Sequence, residues 1–182
     1  MVSPVKRLAS MLRHAMSATY GFGQFTYRKP SRRQPPGGAI LPRHQKPVPD
    51  LLVLGDTSGS MNDRDLGMVL GVVADVSRRL GVNGTLEVWT GDTHVGSVQK
   101  VFRPEEVKLV GGGGTDMAAM IQAAMERRPK PPEVILVATD GYTPWPERQV
   151  DAKVMACLTR QANAERVPSW IETVVLRPED KE

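Results

Sequence analysis

Two short, unbroken apolar runs, Leu51-Leu52-Val53-Leu54 and Val134-Ile135-Leu136-Val137-Ala138, each reach an aspartate two residues after they stop, Asp56 and Asp140. A strand covered on both faces reads as such a run because neither of its faces can be polar. Strands of that kind belong to sheets with helices on both sides. Polar groups at their ends lie on the carboxyl edge of the sheet, where open α/β folds bind ligands.

The segments around these runs agree with that architecture. Leu66, Val69, Leu70, Val73, Val76 and Leu80 mark one face of a helix that Asn62 can cap and that Arg78, Arg79 and Gly81 close. The stretches 85–90 and 95–102, joined by Gly91-Asp92-Thr93-His94, read as an antiparallel pair at a sheet edge. A second helix is expected over about 116–128, with Met117, Met120, Ile121, Ala124 and Met125 inward. A third is expected over 148–164, and a last strand over 170–176. Strands alternating with helices at these lengths imply a mostly parallel sheet with one antiparallel edge strand, in an α/β fold.

The chemistry concentrates at the strand ends. Asp56, Ser58 and Ser60 alternate in Asp56-Thr57-Ser58-Gly59-Ser60-Met61, giving three oxygen donors within one turn. Gly111-Gly112-Gly113-Gly114-Thr115-Asp116 lets backbone approach another loop without Cβ clashes and brings the Thr115 hydroxyl. Thr139-Asp140-Gly141 delivers a second carboxylate to the same edge. Oxygen donors of this kind suit a hard divalent cation such as Mg²⁺, or Mn²⁺, which takes few carboxylates and keeps several waters. Asp116, beside Thr115, is read as a helix cap or as a group that positions a ligand, in preference to a direct ligand.

Asp-x-Ser-x-Ser, then Thr, then Asp, each at a strand end or helix start, resembles the metal-ion-dependent adhesion site (MIDAS) of von Willebrand factor A (VWA) domains. The likeness extends through Thr26-Tyr27-Arg28-Lys29-Pro30-Ser31-Arg32-Arg33, Ile40-Leu41-Pro42, Gly91-Asp92 and Thr139-Asp140-Gly141-Tyr142-Thr143-Pro144-Trp145-Pro146. These segments look like the VWA-like C-terminal domain of a bacterial family of metallopeptidase-like proteins, over most of 20–176. The resemblance implies a VWA/Rossmann-like three-layer sandwich and metal ligands Asp56, Ser58, Ser60, Thr115 and Asp140. It also implies that the ion keeps one position for an Asp or Glu of a protein partner, and suggests a MoxR-type AAA+ ATPase as that partner. Uncharged Ser58, Ser60 and Thr115 would leave the ion electrophilic enough for an anionic oxygen, which the positive helix N-termini nearby would also favour. VWA folds usually finish with another strand and helix, whereas six residues follow Leu176. Either the fold is trimmed, or the N-terminal arm covers the exposed sheet face.

Catalysis is not expected on this chain. The family's upstream region carries His-Glu-x-x-His, and His14, His44 and His94 lack that spacing. Position 58 is Ser where a haloacid-dehalogenase-type phosphatase needs a second Asp, the glycine run lacks a phosphate-loop Lys, and no Gly-x-Ser-x-Gly elbow surrounds Ser58 or Ser60. A non-catalytic domain of a metallohydrolase is the alternative within the same resemblance. Cys157, the single cysteine, is read as a small buried hydrophobe in a helix-like segment. Trp145, flanked by Pro144 and Pro146, has two readings: a rigid partner hot spot on the site's rim, or a ring packed onto the sheet end.

Charge divides the chain. Residues 1–50 hold nine Lys/Arg against Asp50 alone, +8, whereas 51–182 hold fifteen against nineteen acids, −4. The expected organisation is therefore a basic helix and Pro/Gly/Arg-rich extended arm over 1–48, packed on a VWA-like domain over 49–182. The arm's charge also allows nucleic-acid binding as an alternative function. Tyr20, Phe22, Phe25, Tyr27, Ile40 and Leu41 are expected to anchor it, and the density of Pro, Gly and Arg from Lys29 to Pro49 argues against regular structure there. No apolar stretch reaches membrane-span length, and Lys6, Arg7, Arg13 and His14 interrupt any signal-peptide core, so a cytoplasmic location is expected.

Overall fold

The structure is a computed structural model, described here for residues 4–18, 24–34, 36–38, 40–45, 50–57, 63–79, 86–91, 95–101, 116–159 and 163–176. Its elements are α1 (Pro4–Ala18), β1 (Gln24–Pro30), β2 (Pro42–Gln45), β3 (Leu51–Asp56), α2 (Asp63–Arg79), β4 (Leu86–Gly91), β5 (Val95–Val101), α3 (Met117–Arg127), β6 (Val134–Thr139), β7 (Lys153–Leu158) and β8 (Glu172–Val175). Six strands form one sheet in the order β5-β4-β3-β6-β7-β8, parallel except for β5 against β4. The mostly parallel α/β sheet with one antiparallel edge strand is the arrangement that the apolar runs imply.

Every residue of β3 and β6 is buried, and the alternation of their side chains divides the core in two. Leu51, Val53, Val134, Leu136 and Ala138 face α2, while Leu52, Leu54, Ile135 and Val137 face α3. Because β4 lies on one side of β3 and β6 on the other, with α2 and α3 on opposite faces, the strand order reverses between β3 and β6. That reversal opens a crevice at their carboxyl ends.

Helix α1 completes the α2 side. Leu8, Met11, Leu12, Ala15 and Met16 recur at helical spacing and are buried in one cluster with Val69, Met155, Cys157, Val174 and Leu176, while Lys6, Arg7, Arg13 and His14 face solvent. The sheet face formed by β7 and β8 on this side is thus covered by α1 together with α2. Among the described residues, no helix is long and apolar enough to cross a membrane.

Three expectations need correction. The segment expected to be a helix over 148–164 contains β7. Its run Lys153-Val-Met-Ala-Cys-Leu158 has five buried residues of six, Met155 and Cys157 toward α2 and Val154, Ala156 and Leu158 toward α3. Ala, Met, Leu and Gln have helical propensity, but a slot beside β6 that buries both faces overrides it. Cys157 is buried as expected, on a strand instead of a helix.

Secondly, part of the arm over 29–49 is regular: β1 and β2 pair antiparallel, with Phe25 opposite His44. Thirdly, the proposed anchors Phe25, Tyr27, Ile40 and Leu41 lie exposed. The two strands pair with each other in a sheet of their own, separate from the six-stranded one. Tyr20 and Phe22 lie outside the described residues.

An ion-pair knot fixes the amino edge. The Arg128 guanidinium, just past α3, donates to Asp50 at 2.9 Å and to Glu87 at 3.3 Å, and the Trp89 indole donates to Glu87 at 2.8 Å. Burial lowers the pKa of Arg128, but the hydrogen bond and charge of Asp50, with the charge of Glu87, outweigh it and hold the group above its ordinary value. Arg128→Ala should destabilise the domain by about 2 kcal/mol, less than a fully buried pair because Asp50 stays partly solvated. A urea titration checks this, with Arg128→Met separating lost charge from lost packing.

Candidate metal centre

Asp56 ends β3 and Asp140 follows β6, and the two are only 1% and 2% exposed. Register sets them close: Gly55 lies opposite Ala138, so the next pair of positions is Asp56 and Thr139. The Thr139 hydroxyl donates to Asp56 Oδ2 at 2.6 Å, the length of a bond from a hydroxyl to a carboxylate. Thr139 Oγ1 accepts in turn from Gly141 N at 3.1 Å, which fixes its own rotation.

The loop after Asp140 is held equally firmly. Asp140 Oδ1 accepts from Tyr142 N at 2.9 Å, and Asp140 O accepts from Asn163 N at 3.0 Å. Gly141 at φ +84 permits the reversal, where a Cβ would lie 2.9 Å from Asn163 O. Gly55 serves a second close approach: a Cβ there would meet Leu66 Cδ2 at 3.2 Å, so the strand end lets α2 pack against it. On the other flank the Thr57 hydroxyl donates to Gly91 O at 2.9 Å, tying β3 to β4.

A clamp joins this loop to α3. Thr143 Oγ1 accepts from Met117 N at 2.9 Å, Pro144 O from Ala118 N at 3.0 Å, and Asp116 Oδ1 from Ala119 N at 2.9 Å. Three of the N–H groups that a helix start leaves without an intrahelical partner are thereby used. Asp116 is a helix cap. The end of α3 consequently presents few open donors to an incoming carboxylate, contrary to the role the sequence suggests for it, and serves instead to draw the segment after Thr115 against the Asp140 loop.

The described residues bring Asp56, Asp140 and Asp116 to one edge. Ser58, Ser60 and Thr115, and likewise Asp92 and His94, lie outside the described residues. Trp145 is half-buried and packs with Val150 and Trp170 on the α3-side core, while Tyr142 is exposed beside Asp140. Sequence reasoning missed Thr139, Thr143 and Thr57. The one available signal was a threonine directly before the strand-end aspartate, in a buried run where a hydroxyl must find a partner.

The donor chemistry fits a hard cation. Among the described residues no three His, Cys, Asp or Glu side chains gather into a metal cluster, so hydroxyl or water oxygens would have to supplement the two carboxylates. At the opposite, amino end of the sheet, Lys130, Glu133, Asp151 and Lys153 help line an open groove of about 570 Å³, where Lys130 pairs with Glu133 and Lys153 with Glu172.

The family model for the VWA-like domain (DUF2201) matches residues 51–177. The chain belongs to this family. The match begins on the first residue of β3 and takes in every strand of the six-stranded sheet, so the VWA-like domain includes both aspartates, while α1 and the β1–β2 hairpin precede it. Comparison with curated proteins found no match.

Proposed function

We propose that this VWA-like domain is a divalent-metal-dependent protein-interaction module of the MIDAS type. Asp56, Ser58, Ser60, Thr115 and Asp140 hold Mg²⁺ or Mn²⁺, and a partner's Asp or Glu completes the site. The reading rests on one observation above the others: two aspartates, almost fully buried at the strand-order reversal, with Asp56 held by the hydroxyl of Thr139, the residue before Asp140. Two carboxylates converging at the carboxyl edge of an open α/β sheet offer charged oxygens of the kind a hard divalent ion takes. The bound ion would act as a Lewis acid toward an anionic oxygen.

This chain's residues then have separate tasks. Thr139 and the Tyr142 N–H orient the two carboxylates, and the clamp at Thr143 keeps the Asp140 loop against α3. Tyr142, exposed beside Asp140, is placed to touch the partner. The resemblance to the metallopeptidase-like family suggests a MoxR-type AAA+ ATPase as partner and assigns no catalysis to this chain. Calorimetry should show saturable Mn²⁺ binding, and immobilised chain should retain a carboxylate-bearing partner with Mg²⁺ and release it to EDTA. Absence of Mn²⁺ heat, or retention unaffected by EDTA, would overturn the reading.

A further inference from the structure

The β1–β2 hairpin has a surface unlike an ordinary solvated face. Phe25 and Tyr27 are 71% and 69% exposed, and Ile40 is 64% exposed. Around them Arg28, Arg32, Arg33 and Arg43 are also exposed, and residues 24–45 contain five Lys/Arg and no Asp or Glu. Large rings this exposed in a segment of concentrated positive charge are informative in a way that scattered surface leucines are not.

The hairpin is a built platform. Pairing runs Gln24 to Gln45, Phe25 to His44, Thr26 to Arg43 and Pro30 to Pro42. The register shift between Thr26 and Pro30 leaves Tyr27, Arg28 and Lys29 outside the regular ladder, and irregularities of this kind re-aim side chains. Beyond it, Ser31 N donates to Leu41 O at 2.9 Å. The Gln34 carboxamide accepts from Leu41 N at 2.9 Å and donates to Ser31 O, replacing missing rungs. Gly37 and Gly38, at φ +119 and +83, complete the turn.

We infer that this hairpin binds single-stranded nucleic acid, with Phe25 and Tyr27 stacking on bases and Arg28, Arg32, Arg33 and Arg43 meeting phosphates. An acidic peptide would use the charges and leave the rings idle. A duplex would offer phosphates but no open base face. A single strand uses both, because every base has a face for an aromatic ring and every nucleotide a charge for a guanidinium. The inference is independent of the metal site, since the hairpin lies before the domain's first sheet strand and contributes none of the five ligands.

The test uses the full chain with fluorescein-labelled dT20 and U20, followed by anisotropy in EDTA so that the metal site is silent. Saturable binding is expected, with a log–log salt slope of about −3 if four phosphates are neutralised. Phe25→Ala/Tyr27→Ala should weaken binding roughly ten-fold or more, and Arg32→Glu/Arg33→Glu, which removes two of the four phosphate contacts, should weaken it and flatten the slope by roughly 1.4. Both variants alter exposed side chains, so their melting temperatures should match wild type. Three results would overturn the inference: no saturable binding, affinity indifferent to the aromatic pair, or equal or tighter binding of a 20-base-pair duplex, poly-glutamate or phosphatidylserine vesicles.

Discussion

Asp56→Asn should remove most divalent-ion binding while leaving the domain folded. The amide keeps the shape of the carboxylate and still offers Thr139 an oxygen acceptor, so the bond now 2.6 Å long can persist in weaker form. What disappears is the negative charge on which a hard cation depends. At an ion concentration about 100 times Kd, wild type should gain about 2.7 kcal/mol from mass action, corresponding to a rise in melting temperature of roughly 5 to 10 °C for a domain of this size. Asp56→Asn should lose that rise. Thr139→Val, which leaves both carboxylates but removes the hydroxyl that orients one, should reduce affinity about 10 to 100-fold. Calorimetry with Mn²⁺ and thermal melts with and without ion give the ordering directly. Equal Mn²⁺ affinity in wild type and Asp56→Asn would remove Asp56 from the site.

The difference between these two variants marks how much of the site could be read from sequence. Asp56 and Asp140 stand out because runs buried on both faces must stop where chemistry begins. Thr139 does not, since a threonine at the end of an apolar run reads equally well as β-branched filler. The cap at Asp116 was legible from its place before a helical pattern, but Thr143 and Pro144 as partners of the same helix end were not. Their contact depends on loop closure over more than twenty residues, and no local spacing encodes it. The strand β7 failed for a related reason. Its residues have mixed propensity, and only its slot between β6 and β8 decides the matter. At the hairpin, aromatic residues read as anchors because burial is their commonest fate, whereas Phe25 and Tyr27 on the paired strand β1 stay outside.

The same reasoning makes α1 a sharper test of domain organisation than any truncation. Leu8 and Leu12 are fully buried and share a cluster with α2, β7 and β8. Leu12→Ala should therefore destabilise by about 2 to 5 kcal/mol, and Leu12→Asp by more, since it buries a charge. Arg13→Ala, on the exposed side of the same helix, should stay within about 0.5 kcal/mol of wild type. The three tryptophans make the experiment decisive. Trp89 lies in the core on the α3 side, and Trp145 and Trp170 pack against it, across the sheet from α1. If α1 is part of the cooperative unit, Leu12→Asp moves the urea midpoint seen by tryptophan fluorescence together with the midpoint seen by circular dichroism. If α1 were a separable appendage, helical signal would be lost while the tryptophan transition stayed in place. Coincident shifts are expected because both faces are built on the same strands: Val154 and Met155, adjacent in β7, belong to opposite cores, so one cannot loosen without releasing the other.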